Sequence, residues 1–385
     1  MELITTTKAL EHACQKLAGE PFIAIDTEFM RESTYWSKLC LVQLAGRDKL
    51  PVIVDTMAGD VSLAPLFRLL ADESVIKVFH AARQDIEIFH HMTGQVPSPI
   101  FDTQVAAAVC GYGEQIAYDQ LVQRTSGAHI DKSHRFTDWS RRPLSEKQLH
   151  YAAADVEHLI DVYEALAAAL EESGRSQWIG EEIALLSSPD TYSAAPEEAW
   201  KRLKMRARKP VELAATQALA AWREEAAQAR DVPRSRIIKD DVIYDVAAQL
   251  PESREALGQL RSVPKGFERS QSGSEILEIV ASIKALPRDR LPSIPRNSRP
   301  NGQPGAVADL MKVLLKAVSE QHKVASRLIA NVEDIEQIAL DDDADVPALK
   351  GWRRKIFGEL ALDLKHGRLT LGIKGRAVAV NRVDD

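Results

Sequence analysis

The sequence predicts an α/β domain with a mixed sheet, followed by two all-α helical bundles. Three observations lead there. Short runs rich in Val, Ile and Leu crowd the first 80 residues, helical and strand periodicities then alternate to about residue 171, and beyond about residue 195 strand patterns nearly vanish. At 385 residues the chain exceeds one ordinary domain. With 45% hydrophobic and 27% charged residues it can bury real cores.

Taken in order, Phe22–Met30 (FIAIDTEFM) reads as a buried strand, and Leu39–Ala45 and Val52–Asp55 follow closely enough to form an antiparallel meander with it. Ser62–Leu70 has helical spacing, Val75–Phe79 is a strand, and Gln84–His91 and Asp102–Cys110 are helical. A long alanine-rich amphipathic helix is expected from Ser145, a natural N-cap, to Glu171. Helices are then expected at 211–229, 239–249, 273–285, 305–330 and 347–364. Prolines 287, 292, 295, 300 and 304 mark a stiff linker. The resulting division is an α/β domain at 1–190, a helical domain at 200–288, a Pro-rich linker at 289–304 and a second helical domain at 305–376.

Charge is unevenly spread. The net charge is −7, yet residues 1–190 hold 16 Lys and Arg against 28 Asp and Glu, whereas the remainder hold 33 against 28. An acidic front half suits a site that gathers cations, and a basic back half suits a polyanion. The N-terminus lacks a basic start followed by an apolar core, and no run of about eighteen apolar residues occurs, so a cytoplasmic protein is expected. Cys14, Cys40 and Cys110 are scattered and odd in number, which fits small packing residues in a reducing compartment and no zinc site. The absence of a Gly-x-x-x-x-Gly-Lys-Ser/Thr loop argues against an NTPase.

Candidate chemistry centres on carboxylates. Asp26 and Glu28 are two apart on a strand and so project from one face, where two acids in apolar surroundings call for a cation. Asp85 opens the helix that follows the strand Val75–Phe79, at the end of the sheet where ligands bind and equally where a helix N-terminus by itself stabilises a carboxylate. Tyr151 and Asp155 are four apart on the long helix and share a face, as a site pair or as an ordinary surface tyrosine over an aspartate. Four carboxylates would balance two divalent ions, and an all-oxygen donor set favours Mg²⁺ or Mn²⁺ over zinc.

The stretches Ile25-Asp-Thr-Glu-Phe29, His80-Ala-Ala-Arg-Gln-Asp85, Phe101-Asp-Thr103, Asp138-Trp139, Arg142-Pro-Leu144 and Tyr151-Ala-Ala-Ala-Asp-Val156 together resemble the ribonuclease D family of DEDD exonucleases. The resemblance spans almost the whole first domain. It implies a ribonuclease H-like fold and a metal-dependent 3′→5′ exoribonuclease that releases 5′-nucleoside monophosphates. It places the metal-binding acids at Asp26, Glu28, Asp85 and Asp155, the water-positioning tyrosine at Tyr151, and Glu28 against the terminal ribose hydroxyl. A sister subgroup uses a histidine five before the last acid, which is where His150 stands, but a five-residue offset turns His150 away from the Asp155 face. At neutral pH a tyrosine, pKa near 10, would orient water by hydrogen bonding.

The family further implies a monomer that trims transfer RNA precursors and other RNAs with single-stranded 3′ ends. Two alternatives are a DNA 3′→5′ exonuclease with the same metals and a non-catalytic RNA-binding adaptor. Around the site, His80 reads as a core-edge histidine, and Lys132, Arg135, Arg141 and Arg142 as either phosphate ligands or solvated charges. Lys201, Arg202, Lys204, Arg206, Arg208 and Lys209 form a candidate nucleic-acid patch. Residues from about 207 to 288 resemble the helicase-and-RNase-D C-terminal (HRDC) domain, and 305–376 a diverged second copy whose acidic Asp341–Asp343 loop would not welcome RNA.

Overall fold

A computed structural model describes residues 1–131, 137–294 and 305–383. Lys132, Arg135 and most of the Pro-rich linker lie outside the described residues. The chain packs as two compact units: Met1–Glu28 with Leu39–Thr191 and Ser298–Asp385, and Phe29–Lys38 with Tyr192–Asn297.

The first unit is built on a six-stranded sheet of order β1-β4-β3-β2-β5-β6. Its strands are β1 (Glu2–Ile4), β2 (Phe22–Met30), β3 (Lys38–Ala45), β4 (Val52–Asp55), β5 (Ile76–Phe79) and β6 (Ile100–Asp102). β3 and β4 pair antiparallel, while β1–β4, β2–β5 and β5–β6 pair parallel, so the sheet is mixed. Helices α1 (Thr7–Leu17), α2 (Ala64–Ala71), α3 (Arg83–Thr93), α4 (Thr103–Val109), α5 (Tyr118–Ser126), α6 (Glu146–Glu172) and α7 (Ser176–Ser187) surround it. β1 and β6 have three residues each, too short for an alternating pattern to announce them.

The sheet face that matters is set by alternation. Phe22 and Ala24 of β2, Ala45 of β3 and Val78 of β5 pack against Val156, Leu159 and Ile160 of α6. Asp26 and Glu28 continue that face of β2 toward the end of the strand.

In the second unit, α8 (Pro210–Ala229), α9 (Arg234–Ile237), α10 (Asp240–Gln249), α11 (Arg254–Gly258) and α12 (Gln271–Lys284) form a helical bundle around Leu219, Val242, Ile243, Leu257 and Ile276. The C-terminal stretch belongs to the first unit: α13 (Gly305–His322), α14 (Ser326–Ile329), α15 (Val332–Leu340), α16 (Gly351–Arg353) and α17 (Glu359–Lys365). It joins the α/β part through stacked Trp178 and Trp352 rings, centroids 4.4 Å apart, and through Arg353 against Glu181 at 2.5 Å. Gly111, at φ +88°, touches this stretch so closely that a Cβ would collide with the Lys323 carbonyl.

The last region departs from an all-helical expectation. Beyond α17 the chain forms an antiparallel hairpin, β7 (Leu369–Lys374) and β8 (Ala377–Arg382), turning at Gly375 with φ +67°. Leu371 and Val380 of the hairpin pack on the helical core, so the boundary at 376 falls inside the turn. The expected 305–330 helix also breaks after His322, where Lys323 takes φ +53°. Among the described residues no helix is long and apolar enough to cross a membrane.

Candidate active site

β2 and α6 bring three acids together. One oxygen from each of Asp26, Glu28 and Asp155 lies within 4.8 Å of the others, and all three side chains are partly open to solvent. The start of α6 is fixed by a reciprocal cap in which Ser145 accepts from the Gln148 amide and Gln148 returns the bond to the Ser145 amide. Tyr118 fastens the helix further along, its hydroxyl donating to the Asp155 backbone carbonyl at 2.6 Å.

Asp85 arrives differently. It is the third residue of α3, buried, and its carboxylate accepts a short hydrogen bond from the Thr27 hydroxyl. Thr27 is the strand residue between Asp26 and Glu28. The turn that aims α3 is held by Asp102, which accepts from the amides of Ala81 (3.1 Å) and Ala82 (2.8 Å) while capping α4 through Gln104 (2.7 Å). Ala81 sits at φ +59°, a conformation that disfavours a Cβ, and Asp102 compensates it. The motif Phe101-Asp-Thr103 therefore serves the site by geometry: Thr103 also donates to the Phe79 carbonyl at 2.9 Å.

These acids oppose one another's ionisation. Burial first, and then Asp155, pushes Asp26 well above the usual carboxylate range. Burial and then Asp26 do the same to Asp85. Burial, followed by Asp26, Asp155 and Asp85, raises Glu28 to about 10, and burial raises Asp155 to about 7. Among the described residues none of the four forms an ion pair with Lys or Arg. A hard divalent cation is the partner whose charge and donor preference fit this set.

Comparison with known proteins places the chain in a family. A 3′-5′ exonuclease family model matches residues 1–171, and an HRDC domain model matches residues 212–280. Ribonuclease D of Nitrobacter hamburgensis is 55% identical over 99% of this chain and 100% of its own length. The chain belongs to the ribonuclease D family. Ribonuclease D of Granulibacter bethesdensis is 50% identical over 98% of this chain and 95% of its own. The crystal structure of Escherichia coli RNase D, described as an exoribonuclease involved in structured RNA processing, superposes with a TM-score of 0.81 at 31% identity, covering 95% of this chain and 98% of that one. As a member of this family, the chain is a 3′→5′ exoribonuclease of a metal-dependent family.

The remaining candidate residues can be placed on this ribonuclease D framework. Tyr151 is half-buried, its ring 6.0 Å from that of buried Trp139. His150 is exposed, with Nδ1 bonded to the Glu146 carbonyl at 2.7 Å. His80 bonds Thr103 at 3.0 Å and lies 5.2 Å from the Tyr118 ring, with burial lowering its pKa, so it is a satisfied core-edge residue. Arg142, read from sequence as either a phosphate ligand or a solvated charge, is partly exposed with its guanidinium engaged inside the protein. It grips Asp55 and the Cys40 and Trp139 carbonyls. Arg141 pairs with Asp138 at 3.0 Å.

The basic run is largely engaged with acids of its own unit. Lys201 pairs with Glu198, Arg202 with buried Glu224 at 2.8 Å, Arg206 with Asp241 at 3.7 Å, and Lys209 with Glu212 at 3.8 Å. Sequence reading assigned no role to Thr27, Asp102 or Tyr118. Thr27 and Asp102 lie within recognised motifs, which carried a signal that could have marked them; Tyr118 had none.

Proposed function

We propose that this chain shortens RNA from single-stranded 3′ ends, transfer RNA precursors among them, at a site where Asp26, Glu28, Asp85 and Asp155 hold two divalent ions, Mg²⁺ or Mn²⁺. The observation that carries this reading is the meeting of Asp26, Glu28 and Asp155 within 4.8 Å, each raised in pKa by burial. Bound divalent ions would supply the Lewis acidity for water attack and for departure of the 3′ oxygen. The chain supplies the rest. Tyr151 donates or accepts a hydrogen bond that orients the attacking water, and Glu28 contacts the terminal ribose hydroxyl. Water adds to the last phosphorus, the P–O3′ bond breaks, and a 5′-nucleoside monophosphate leaves behind a new 3′-hydroxyl.

In this reading the chain acts as a monomer, with the 200–288 helical domain gripping the RNA body and the stretch from 305, its terminal hairpin included, as a diverged second copy. Lys201, Lys204, Arg206, Arg208 and Lys209 are exposed and would meet phosphates, whereas Arg202 is committed to buried Glu224. The test is a 5′-labelled transfer RNA precursor incubated with Mg²⁺. Wild type should shorten it stepwise, and Asp155→Ala should bind it without shortening it. Undiminished shortening by Asp155→Ala, or in excess chelator, refutes the proposal.

A further inference from the structure

The second unit is assembled from two distant stretches of chain, and the shorter one, Phe29–Lys38, begins directly after Glu28. Between Met30, which ends β2, and Lys38, which opens β3, seven residues cross, and such a crossing would ordinarily be a loose surface loop. Here it is an arm fastened to the HRDC helix α8 and the turn after it. Tyr35 is 7% exposed and packs with Ala227 and Ile237. Its hydroxyl donates to the Glu224 carboxylate and accepts from Arg234 at 3.0 Å and Gln228 at 3.2 Å. The Arg234 guanidinium also lies 4.7 Å from the Tyr35 ring centroid.

A second fastening is made by the backbone. The amides of Tyr35 and Trp36 both donate to one Asp231 oxygen, each at 3.0 Å. Asp231 holds φ +46°, tolerable for an aspartate whose own amide is tied to Gln228. Glu224 is fully buried and already bracketed by Arg202 at 2.8 Å and by Arg234 at 2.5 and 2.6 Å. The receptor for the Tyr35 hydroxyl is thus a pre-organised ionic cluster, and bonds to it are of the stronger, charge-assisted kind.

Tyr35 stands seven residues beyond Glu28 along a continuous chain, so anchoring the arm restrains the end of β2 that bears both Asp26 and Glu28. We propose that Tyr35 and Asp231 are positioning residues for the exonuclease: the HRDC helix, by holding this arm, keeps the β2 carboxylates in place and so contributes to turnover itself, beyond any part in RNA affinity. The inference rests on the carboxylate site proposed above. Misplacing a reacting group by about 1 Å costs on the order of 100-fold in rate.

The test uses the full chain as wild type, Tyr35→Ala, Tyr35→Phe, Asp231→Ala and Asp155→Ala, with a labelled RNA trinucleotide that offers almost no strand beyond the cleaved end. Tyr35→Ala and Asp231→Ala should each lower kcat by about 10- to 100-fold with KM changed by less than about threefold. Both should also weaken Mn²⁺ binding, read as free Mn²⁺ by electron paramagnetic resonance, and Tyr35→Phe, which keeps the ring, should fall between. Wild-type kcat and Mn²⁺ affinity in both variants, or a loss confined to KM on long RNA, overturns the proposal. If circular dichroism shows Tyr35→Ala to have lost helix, Asp231→Ala decides alone. Failure of the functional reading looks different: wild type would leave RNA intact, or Asp155→Ala would match it.

Discussion

Arg142 clamps Asp55 through two parallel bonds, Nε to Oδ2 at 2.7 Å and Nη2 to Oδ1 at 2.6 Å, tying the segment that enters α6 to the end of β4. Burial works against the Asp55 charge, but the Arg142 bonds, together with the backbone amides of Met57 and Ala58, outweigh it and hold the carboxyl below its usual range. Arg142→Ala leaves that carboxylate buried without its partner. With the guanidinium side chain 26% exposed, the cost should be about 2–3 kcal/mol, below the 3–5 of a fully buried pair. Urea unfolding measures it, and Arg142→Lys should not rescue, since an ammonium cannot make the paired contact. Because the folded pKa is depressed, the contribution is present above the unfolded pKa and lost as pH falls through the folded one.

The carboxylate cluster has the opposite pH dependence. Asp155 and Glu28 are raised to about 7 and about 10, so the folded protein binds more protons than the unfolded chain from about pH 4 upward. Stability of the metal-free protein should therefore fall as pH rises through 7 toward 10. Millimolar Mg²⁺ should flatten that slope, since the ions favour the charged forms. Thermal melts at pH 6, 7.5 and 9, with and without Mg²⁺, check both statements. A slope identical in the two series would count against metal binding by these acids.

Tyr151 and His150 can be separated by kinetics. His150 is exposed and its Nδ1 is occupied by the Glu146 carbonyl, so His150→Ala should leave kcat within about twofold. Tyr151→Phe removes only the hydroxyl and should cost about 10²-fold in kcat, the size of a lost water-orienting contact. Single-turnover rates on a short RNA give both numbers, and the reverse ranking would move the role to the histidine.

Gln43 makes a further point about the same face of the sheet. It is fully buried on β3, two residues before Ala45, so it shares the α6 side with Asp26 and Glu28, and neither amide atom has a partner among the described residues. Each such orphan costs about 1–3 kcal/mol. Gln43→Met, close in shape, should raise the melting temperature of the metal-free protein. A drop instead would mean that the amide is satisfied in solution.

What was legible in the sequence follows from the length of each signal. β2, with nine residues, and α6, with twenty-seven and a capping serine, announce themselves, and they carry Asp26, Glu28, Tyr151 and Asp155. β1 and β6 span three residues and are strands only because longer neighbours offer them hydrogen bonds. Arg142 could not be assigned because its partner, Asp55, lies 87 residues away and nothing local distinguishes a paired guanidinium from a solvated cation. The terminal hairpin hid behind a helical region, its Leu-x-Leu-x-Ile alternation being too brief to outweigh the preceding pattern. The Tyr35 arm is invisible for the same reason as the clamp: its bonds span nearly 200 positions.

The Trp178–Trp352 stack and the Arg353–Glu181 bond have a bearing on biosynthesis. A ribosome releases the nuclease half first, yet the surface bearing Trp178 waits for more than 170 further residues before its cover exists. Nascent chains halted after the HRDC bundle would leave one face of Trp178 uncovered by Trp352 and Glu181 without Arg353. Translation past Arg353 is in this way a condition for a fully covered first unit, even though all four candidate acids have long since been translated.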